Sequence, residues 1–195
     1  MIRYPLVLAA SLIAALSLSA TCVQAASIPG NIAAAVADSN RPDADKQRDA
    51  NRKPAETLAF LGVKSGEKIG EIIPGGGYFT RLFAKAVGPK GHVFALVPER
   101  PANAPADMPD LAAKVKAIAA DPNYSNVSVV VAPLATLAAA EPVDLVFTAQ
   151  NYHDLHNFPV DVVAFNKVIF GDAKRCPTLS PAASYLSTFS QEAFS

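Results

Sequence analysis

Three consecutive glycines, Gly75, Gly76 and Gly77, are the first candidates for chemistry in this 195-residue chain. They stand in KIGEIIPGGGYFTRLFAKAVG, between an apolar run and a segment with helical periodicity. Glycine permits a positive φ and lets a ligand reach the backbone N–H groups, which the start of a helix at about Tyr78 would polarise further. The loop therefore predicts a ligand site built from backbone donors, with a bare structural turn as the alternative.

Two carboxylates flank this loop. Glu71 lies in the apolar run that enters the loop, and Glu99 follows the next apolar run in VFALVPE. An acidic side chain at the end of a second strand can accept hydrogen bonds from ribose hydroxyls, and a separation of about 20 residues from the glycines is typical of a nucleoside-binding unit. A dinucleotide site is the weaker alternative, because PGGGYF lacks the GxGxxG spacing.

A second cluster of reactive side chains is NYHDLHN, which begins at Asn151 and follows the fourth predicted strand. His153 and Asp154 can act there as a base and its orienting partner, or position a substrate nucleophile. The alternative is that they cap the following helix and close the pocket. We expect no metal, because His153, Asp154 and His156 do not have the spacing of a standard zinc site and no cysteine cluster supports them.

The remaining pattern supplies the elements that must position these residues. Four apolar segments are predicted to be strands: KIGEII, HVFALV, VSVVVA and VDLVFTA. Three segments with helical character lie between or after them: YFTRLFAKAV, DLAAKVKAIAA and VDVVAFNKVIF. Strands that are apolar on both faces and alternate with helices indicate a parallel sheet covered on both sides. The sequence predicts an α/β fold, with PLATLAAAEP forming a short helix of about two turns between the last two strands.

The first 25 residues have the composition of a cleaved secretory signal. Arg3 gives a positive start, LVLAASLIAALSLSA is an apolar core, and VQA ends at Ala25 with small residues at the cleavage site. A membrane anchor is disfavoured, since the apolar run is shorter than a span of about 20 residues, and a lipoprotein would use Cys22. We expect a periplasmic or secreted protein without a stable membrane span.

Residues 26–54 are polar almost throughout and predict an arm or a lead-in helix pair that wraps the domain. PAETLAFLGV then predicts a short helix ended by Gly62, at the start of a domain spanning 55–170. The chain carries 17 basic and 17 acidic residues. A nucleic-acid surface needs a basic excess to compensate phosphates, so this class of partner is excluded.

GEIIPGGGYFTRLFAKAVGPKGHVFALVPE resembles the first motif and the second strand of the class I S-adenosylmethionine-dependent methyltransferases. More narrowly, the chain is similar to exported bacterial proteins described as predicted methyltransferases, through the stretch RPDADKQRDANRKPAETLAFLGVKSGEKIGEIIPGGGYFTRLFAKAVGPKGHVFAL together with FTAQNYHDLHN. The resemblance implies a Rossmann-like doubly wound parallel sheet and S-adenosylmethionine as cofactor. It also implies a methyl-donor pocket whose residues are Glu71, Pro74, Gly75, Gly76, Gly77, Tyr78, Glu99 and Asn151, with Glu71 bracing the loop.

The tail of residues 171–195 departs from the family. Family members have a Lys-Pro-Gly-Gly turn and an apolar strand after the helix that ends near Phe170, whereas this chain offers no convincing strand. A permissible back-translation of TLSPAASYLST, read from its third base, gives Ser-Lys-Pro-Gly-Gly-Val-Leu-Phe-Ile-Asp. Our hypothesis is a shift of reading frame between about Phe170 and Thr178, which leaves the sheet incomplete at its C-terminal side.

Transfer of a methyl group from S-adenosylmethionine to an unknown acceptor is therefore the leading functional hypothesis, with His153 and Asp154 as catalytic candidates. The expected partners are this small donor and the acceptor. A non-catalytic exported module that binds a nucleoside is the alternative, and a truncated inactive product is another.

Overall fold

The computed structural model describes residues 27–157 and 160–172. Four parallel strands form one sheet in the order β3-β2-β1-β4: β1 (Lys68–Ile72), β2 (His92–Pro98), β3 (Val127–Ala132) and β4 (Leu145–Thr148). Seven α-helices accompany them: α1 (Gly30–Val36), α2 (Asp43–Lys46), α3 (Asp49–Arg52), α4 (Pro54–Phe60), α5 (Tyr78–Val87), α6 (Ala113–Ala119) and α7 (Val162–Asp172). The predicted α/β class with a parallel, Rossmann-like sheet is confirmed.

Strands and helices alternate as the apolar pattern predicts, and the strands bury both faces. In β2, Val93, Ala95 and Val97 belong to one apolar cluster, whereas Phe94 and Leu96 belong to another. Successive side chains of a strand point to opposite faces of a sheet, so the two clusters lie on its two sides.

The larger cluster lies between α5 and the sheet. Phe79 and Phe83 of α5 each pack edge-on against Phe147 of β4, with ring centroids 4.9 and 5.0 Å apart. Such edge-to-face contacts between buried aromatic rings stabilise a packing beyond the area they bury. The helix that follows the glycine loop is therefore anchored firmly over the strand that precedes NYHDLHN.

The strand order places the glycine loop at a topological switch point. From β1 the chain moves outward through β2 to β3, and it then returns to the other side of β1 as β4. In an open α/β sheet, ligands bind beyond the carboxyl ends of the strands where the order reverses. The loops after β1 and β4 meet at such a crevice, since the side-chain amide of Asn151 donates to the carbonyl of Ile73 at 2.9 Å.

The polar arm forms three short helices before the domain helix α4. Within residues 27–53, the buried apolar side chains are Ile32 and Ala35 of α1, which packs on α4 and α5. The predicted helix of α4 ends as expected before Gly62, whose φ is +66°. Within the ranges 27–157 and 160–172, no helix combines the length and apolar character that a membrane span requires.

The helical part of the connection between β3 and β4 is shorter than the sequence predicts. Instead of about two α-helical turns, it contains one 3-10 turn at Leu134–Thr136. Leu137 then takes an extended backbone and is fully buried in the second apolar cluster. Burying this leucine therefore ends the turn early.

Two predictions fall on residues outside the described ranges. One is the secretory signal of residues 1–25. The other is the hypothesis of a shifted reading frame in the tail, since the described residues end with α7 at Asp172.

Candidate functional site

A cavity of about 240 Å³ opens at the carboxyl ends of β1 and β4. Its wall combines the glycine loop, the residues after β4 and part of the N-terminal arm: Arg48, Arg52, Glu71, Ile72, Ile73, Pro74, Gly75, Gly76, Tyr78, Phe79, Ala149, Gln150 and Asn151. Six of the eight residues predicted to bind the methyl donor line it. The other two, Gly77 and Glu99, do not.

The three glycines serve different purposes. Gly75 and Gly77 have φ values of +58° and +76°, which side-chain-bearing residues adopt only under strain. A Cβ on Gly77 would also lie 2.1 Å from Cδ1 of Ile118 in α6. Gly77 is thus required by the loop conformation and by the packing of α5 against α6.

Gly76 has neither requirement. Its φ is not positive, and a Cβ built on it would meet no protein atom within 4 Å. Gly76 nevertheless lines the cavity. The backbone N–H groups of Gly75 and Gly76 make no hydrogen bond to another backbone group in the described part of the chain. Two backbone donors therefore remain at a point where a side chain would extend into open space beside the cavity.

Two residues with side chains also take positive φ beside the cavity. Ile73, at the end of β1, has φ +52°, and Gln150, after β4, has φ +60°. A β-branched residue in this region is a genuine outlier, and such strain clusters at ligand sites. The carbonyl of Ile73 accepts from Asn151 at 2.9 Å, and its N–H donates to Leu96 at 2.9 Å. These bonds hold the turn in place.

Glu71 is a buried carboxyl in the cavity wall. Its side chain is almost entirely buried, and Oε2 accepts a hydrogen bond from Oγ1 of Thr80 at 2.5 Å. Desolvation by burial raises the pKa of Glu71 to about 8, and the hydrogen bond from Thr80 offsets only part of that rise. At neutral pH this carboxyl is therefore mostly protonated.

The arm supplies a cationic wall that the sequence analysis did not anticipate. The guanidinium groups of Arg48 and Arg52 lie 5.0 and 4.9 Å from the ring centre of Tyr78, within the range of cation–π contacts. Arg48 also pairs with Asp45, and Arg52 donates to the side chain of Gln150 at 3.4 Å. Both arginines thereby present positive charge beside the glycine loop.

Tyr78 ties the start of α5 to this arm. Its hydroxyl donates to Oδ1 of Asp49 at 2.7 Å, and Asp49 also receives both terminal nitrogens of the buried Arg41, at 2.9 and 2.6 Å. Desolvation would raise the pKa of Asp49, but the hydrogen bonds from Arg41 and Tyr78 outweigh it and hold that pKa below its usual range. Desolvation and the bond to Asp49 both raise the pKa of Tyr78.

The remaining predicted site residues lie apart from the cavity. Glu99 is exposed just past β2, where its backbone N–H donates to Ala132 at 2.8 Å. Nε2 of His153 lies 3.3 Å from Oδ1 of Asp154, with side chains that are 66% and 50% exposed. They belong to the 3-10 turn Tyr152–Asn157. Their catalytic role stays a prediction.

Among the residues in the ranges 27–157 and 160–172, no group of three His, Cys, Asp or Glu side chains is placed to hold a metal ion.

Comparison with protein-family models finds no match, and neither does comparison with curated proteins. Solved structures of methyltransferases do resemble the chain. A SAM-dependent methyltransferase from Aquifex aeolicus is 21% identical over 65% of this chain and 64% of its own, with a TM-score of 0.45. A cyclopropane-fatty-acyl-phospholipid synthase-like protein from Lactobacillus casei is 20% identical over 71% of this chain and 54% of its own, with a TM-score of 0.46.

Fibrillarin from Aeropyrum pernix, solved with natively bound S-adenosyl-L-methionine, is 21% identical over 50% of this chain and 44% of its own, with a TM-score of 0.32. The chain therefore spans less than two thirds of each of these three proteins. At such identities and scores, the α/β assignment rests on the strand order and register of this chain itself.

Proposed function

We propose that this protein binds S-adenosylmethionine in the cavity at the ends of β1 and β4 and transfers its methyl group to an acceptor. The observation that supports this most is Gly76. It lines the cavity, needs no special φ, and would meet no protein atom if it carried a Cβ. A ligand that approaches the backbone accounts for a glycine there, whereas the fold does not.

The wall of the cavity fits the charges of the donor. S-adenosylmethionine has an α-amino carboxylate at one end, and Arg48 and Arg52 offer two cations for the carboxylate. The N–H groups of Gly75 and Gly76 offer neutral donors beside them. Glu71 is the carboxyl of the wall that can receive a cationic group.

The protein's contribution to the reaction is then mainly alignment and exclusion of water. When bound, S-adenosylmethionine supplies an electrophilic methyl group whose sulfonium is its own leaving group. Arg48 and Arg52 would hold one end of the donor in the cavity. Glu99 lies outside the cavity wall, and it would accept hydrogen bonds from the ribose hydroxyls only of a donor that extends beyond the cavity to the end of β2.

His153 would take the proton of the acceptor as it becomes methylated. Because Nε2 faces Asp154, Nδ1 is the nitrogen left to accept that proton, and Asp154 would stabilise the imidazolium. The acceptor itself is not assigned. Export to the periplasm or the medium, based on residues 1–25, belongs to the same proposal.

The test is a titration of the full chain with S-adenosylmethionine and S-adenosylhomocysteine, in the native form and in the variant Gly76→Val. We expect the variant to lose at least tenfold in affinity while its circular dichroism stays unchanged, because valine would fill ligand space and not protein space. Gly30→Val is the matched control, since Gly30 also has open space and no positive φ but lies outside the cavity.

Transfer is tested separately, with labelled methyl donor and a periplasmic extract. Unchanged affinity of Gly76→Val would show that the glycines form only a turn. Tight binding without any labelled acceptor would favour the non-catalytic nucleoside-binding module, for which the exposure of His153 and Asp154 is the motivating observation.

A further inference from the structure

Arg81 contacts both the glycine loop and the N-terminal arm. It lies in the first turn of α5, and its Nη1 donates to the carbonyls of Gly76 and Gly77, both at 3.3 Å. The same nitrogen donates to Oδ2 of Asp45 in the arm at 3.0 Å. One guanidinium therefore links two parts of the site that are far apart along the chain.

Asp45 extends this link to the cavity. Its side chain is only 8% exposed, and Oδ1 accepts a hydrogen bond from Nη2 of Arg48 at 2.5 Å. Arg48 lines the cavity, but its own side chain is 46% exposed. A long side chain with that exposure has many rotamers available, and the pairing with Asp45 restricts the positions that its guanidinium can take.

Side-chain contacts with α5 set the position of this part of the arm. Among residues 38–53, the buried side chains are those of Arg41 and Asp45, and both are charged. In the described part of the chain, no backbone hydrogen bond joins residues 38–53 to the glycine loop or to α5. Polar side-chain contacts must therefore fix Arg48 relative to the loop.

The helix itself does not account for an arginine at position 81. The dipole of a helix favours negative charge in the first turn and opposes a cation there. The glycines that Arg81 contacts have no side chains through which the rest of the protein could hold them. A group that fixes their carbonyls from outside the cavity compensates for that freedom.

We propose that Arg81 is a positioning residue for the methyl donor. Through Asp45 it orients Arg48, and through the two glycine carbonyls it keeps the guanidinium of Arg48 in a fixed position relative to the N–H donors of the loop. The inference rests on the proposed function, in which Arg48 holds one end of the donor. Arg81 does not line the cavity, so its effect on binding passes through residues that do.

The experiment is a double-variant cycle on the full chain, with calorimetric titration of S-adenosylhomocysteine. Arg48→Met removes the guanidinium from the cavity wall, and Arg81→Met removes the group that positions it. We expect each single variant to lose about tenfold in affinity, the size of a lost hydrogen bond to a charged group. The double variant should bind within about threefold of Arg48→Met alone. Losses that multiply to about a hundredfold would show that Arg81 acts independently of Arg48, and the proposal would be wrong.

Two further variants separate a positioning role from a general structural one. Arg81→Lys keeps a cation beside Asp45 without the planar fork, and it should lose no more than about threefold in affinity. Lys85→Met is the matched control, because Lys85 lies on the same helix, pairs with Asp38 of the arm at 3.4 Å and is not part of the cavity wall. It should bind within about twofold of the native chain. A loss as large as that of Arg81→Met would assign the effect to attachment of the arm in general and would overturn the role of Arg81.

Urea unfolding shows whether each variant is folded before it is titrated. If Arg81→Met does not fold, Asp45→Asn takes its place in the cycle, because it removes the charge between the two arginines and keeps the shape of the side chain. Native affinity in the folded variant overturns this inference and leaves the proposed function standing. If the native chain binds neither S-adenosylhomocysteine nor S-adenosylmethionine, the proposed function fails, and this inference fails with it.

Discussion

The loop after β1 and the turn after β4 lie at the same edge of the sheet but are built in opposite ways. In the loop, the backbone is constrained at Ile73, Gly75 and Gly77 by positive φ, and Glu71 is buried beneath it. In the turn, His153 and Asp154 are exposed, and Nε2 of His153 lies 3.3 Å from Oδ1 of Asp154. One region holds its geometry by packing, and the other carries reactive side chains with little support.

Under the proposed function, this difference separates donor binding from catalysis in physical terms. Groups that bind a donor must be held before the ligand arrives, since each loose side chain costs ordering entropy on binding. The cavity meets that condition through backbone donors and the network of Asp49 with Arg41 and Tyr78. The side chains of His153 and Asp154 do not meet it, since both are at least half exposed.

The largest effect should come from Glu71→Gln, measured as the free energy of unfolding against pH. The pKa of Glu71 is about 8 in the folded chain and has an ordinary value of 4.5, so folding is favoured by the protonated form. That contribution is complete below about pH 4.5 and is lost as pH rises toward 8. Relative to the variant, the native chain should lose about 3 kcal/mol between pH 4.5 and pH 7.

Urea unfolding of both proteins at matched pH values gives this difference, and the titration of other carboxyls cancels between them. The glutamine can still accept the hydrogen bond from Thr80, so a general loss of packing is not expected. Curves that run parallel from pH 4.5 to 8 would contradict the buried, protonated state of Glu71.

The second effect concerns the glycines within the loop itself. Gly77→Ala should lower the free energy of unfolding by about 2 kcal/mol, because alanine resists φ +76° and its Cβ would force Ile118 to move. Gly76→Ala should cost less than about 1 kcal/mol, since its Cβ meets open space. Chemical denaturation compares the two variants directly.

The double variant Gly77→Ala with Ile118→Ala separates the two causes. If steric contact dominates, the pair should cost less than the sum of the single variants, and if φ dominates, the costs should add. Equal stability of Gly76→Ala and Gly77→Ala would show that the fold does not distinguish the two glycines. It would contradict the conclusion that the fold requires Gly77 but not Gly76.

The sequence predicted the elements because their causes are local. Apolar runs, helical periodicity and punctuating glycines located all four strands, the domain helices and the loop. Both the nucleotide-site reasoning and the family resemblance then placed the loop at the sheet edge, where the structure has it. The length of the helical piece before Leu137 was wrong, since the burial of this leucine depends on the second apolar cluster and not on its sequence neighbours. The arm forms three short helices and not a pair.

The cavity wall was less accessible to sequence reasoning. Arg48 and Arg52 reach Tyr78 from a segment that reads only as a polar arm, and contacts across such a distance along the chain have no local signature. The spacing of Asp45 with Arg48 and of Asp49 with Arg52, three residues apart, predicts ion pairs within the arm and gives no signal for the contacts with Tyr78. The positive φ of Ile73 had no signal, because isoleucine ordinarily argues against it.

The smallest effects on stability should come from two single variants, His153→Ala and Asp154→Asn. Both side chains are at least half exposed, and surface substitutions of this kind usually change the free energy of unfolding by less than about 0.5 kcal/mol. Affinity for S-adenosylmethionine should also stay within twofold, because neither residue lines the cavity.

If His153 takes the proton of the acceptor, transfer of labelled methyl should nevertheless fall by about a hundredfold or more, and Asp154→Asn should shift the pH profile of the rate. His156→Ala, in the same exposed turn, is the matched control and should leave transfer unchanged. Equal transfer rates for all three variants would show that no base acts from the turn after β4. The packed cavity would then be the functional part of this end of the sheet.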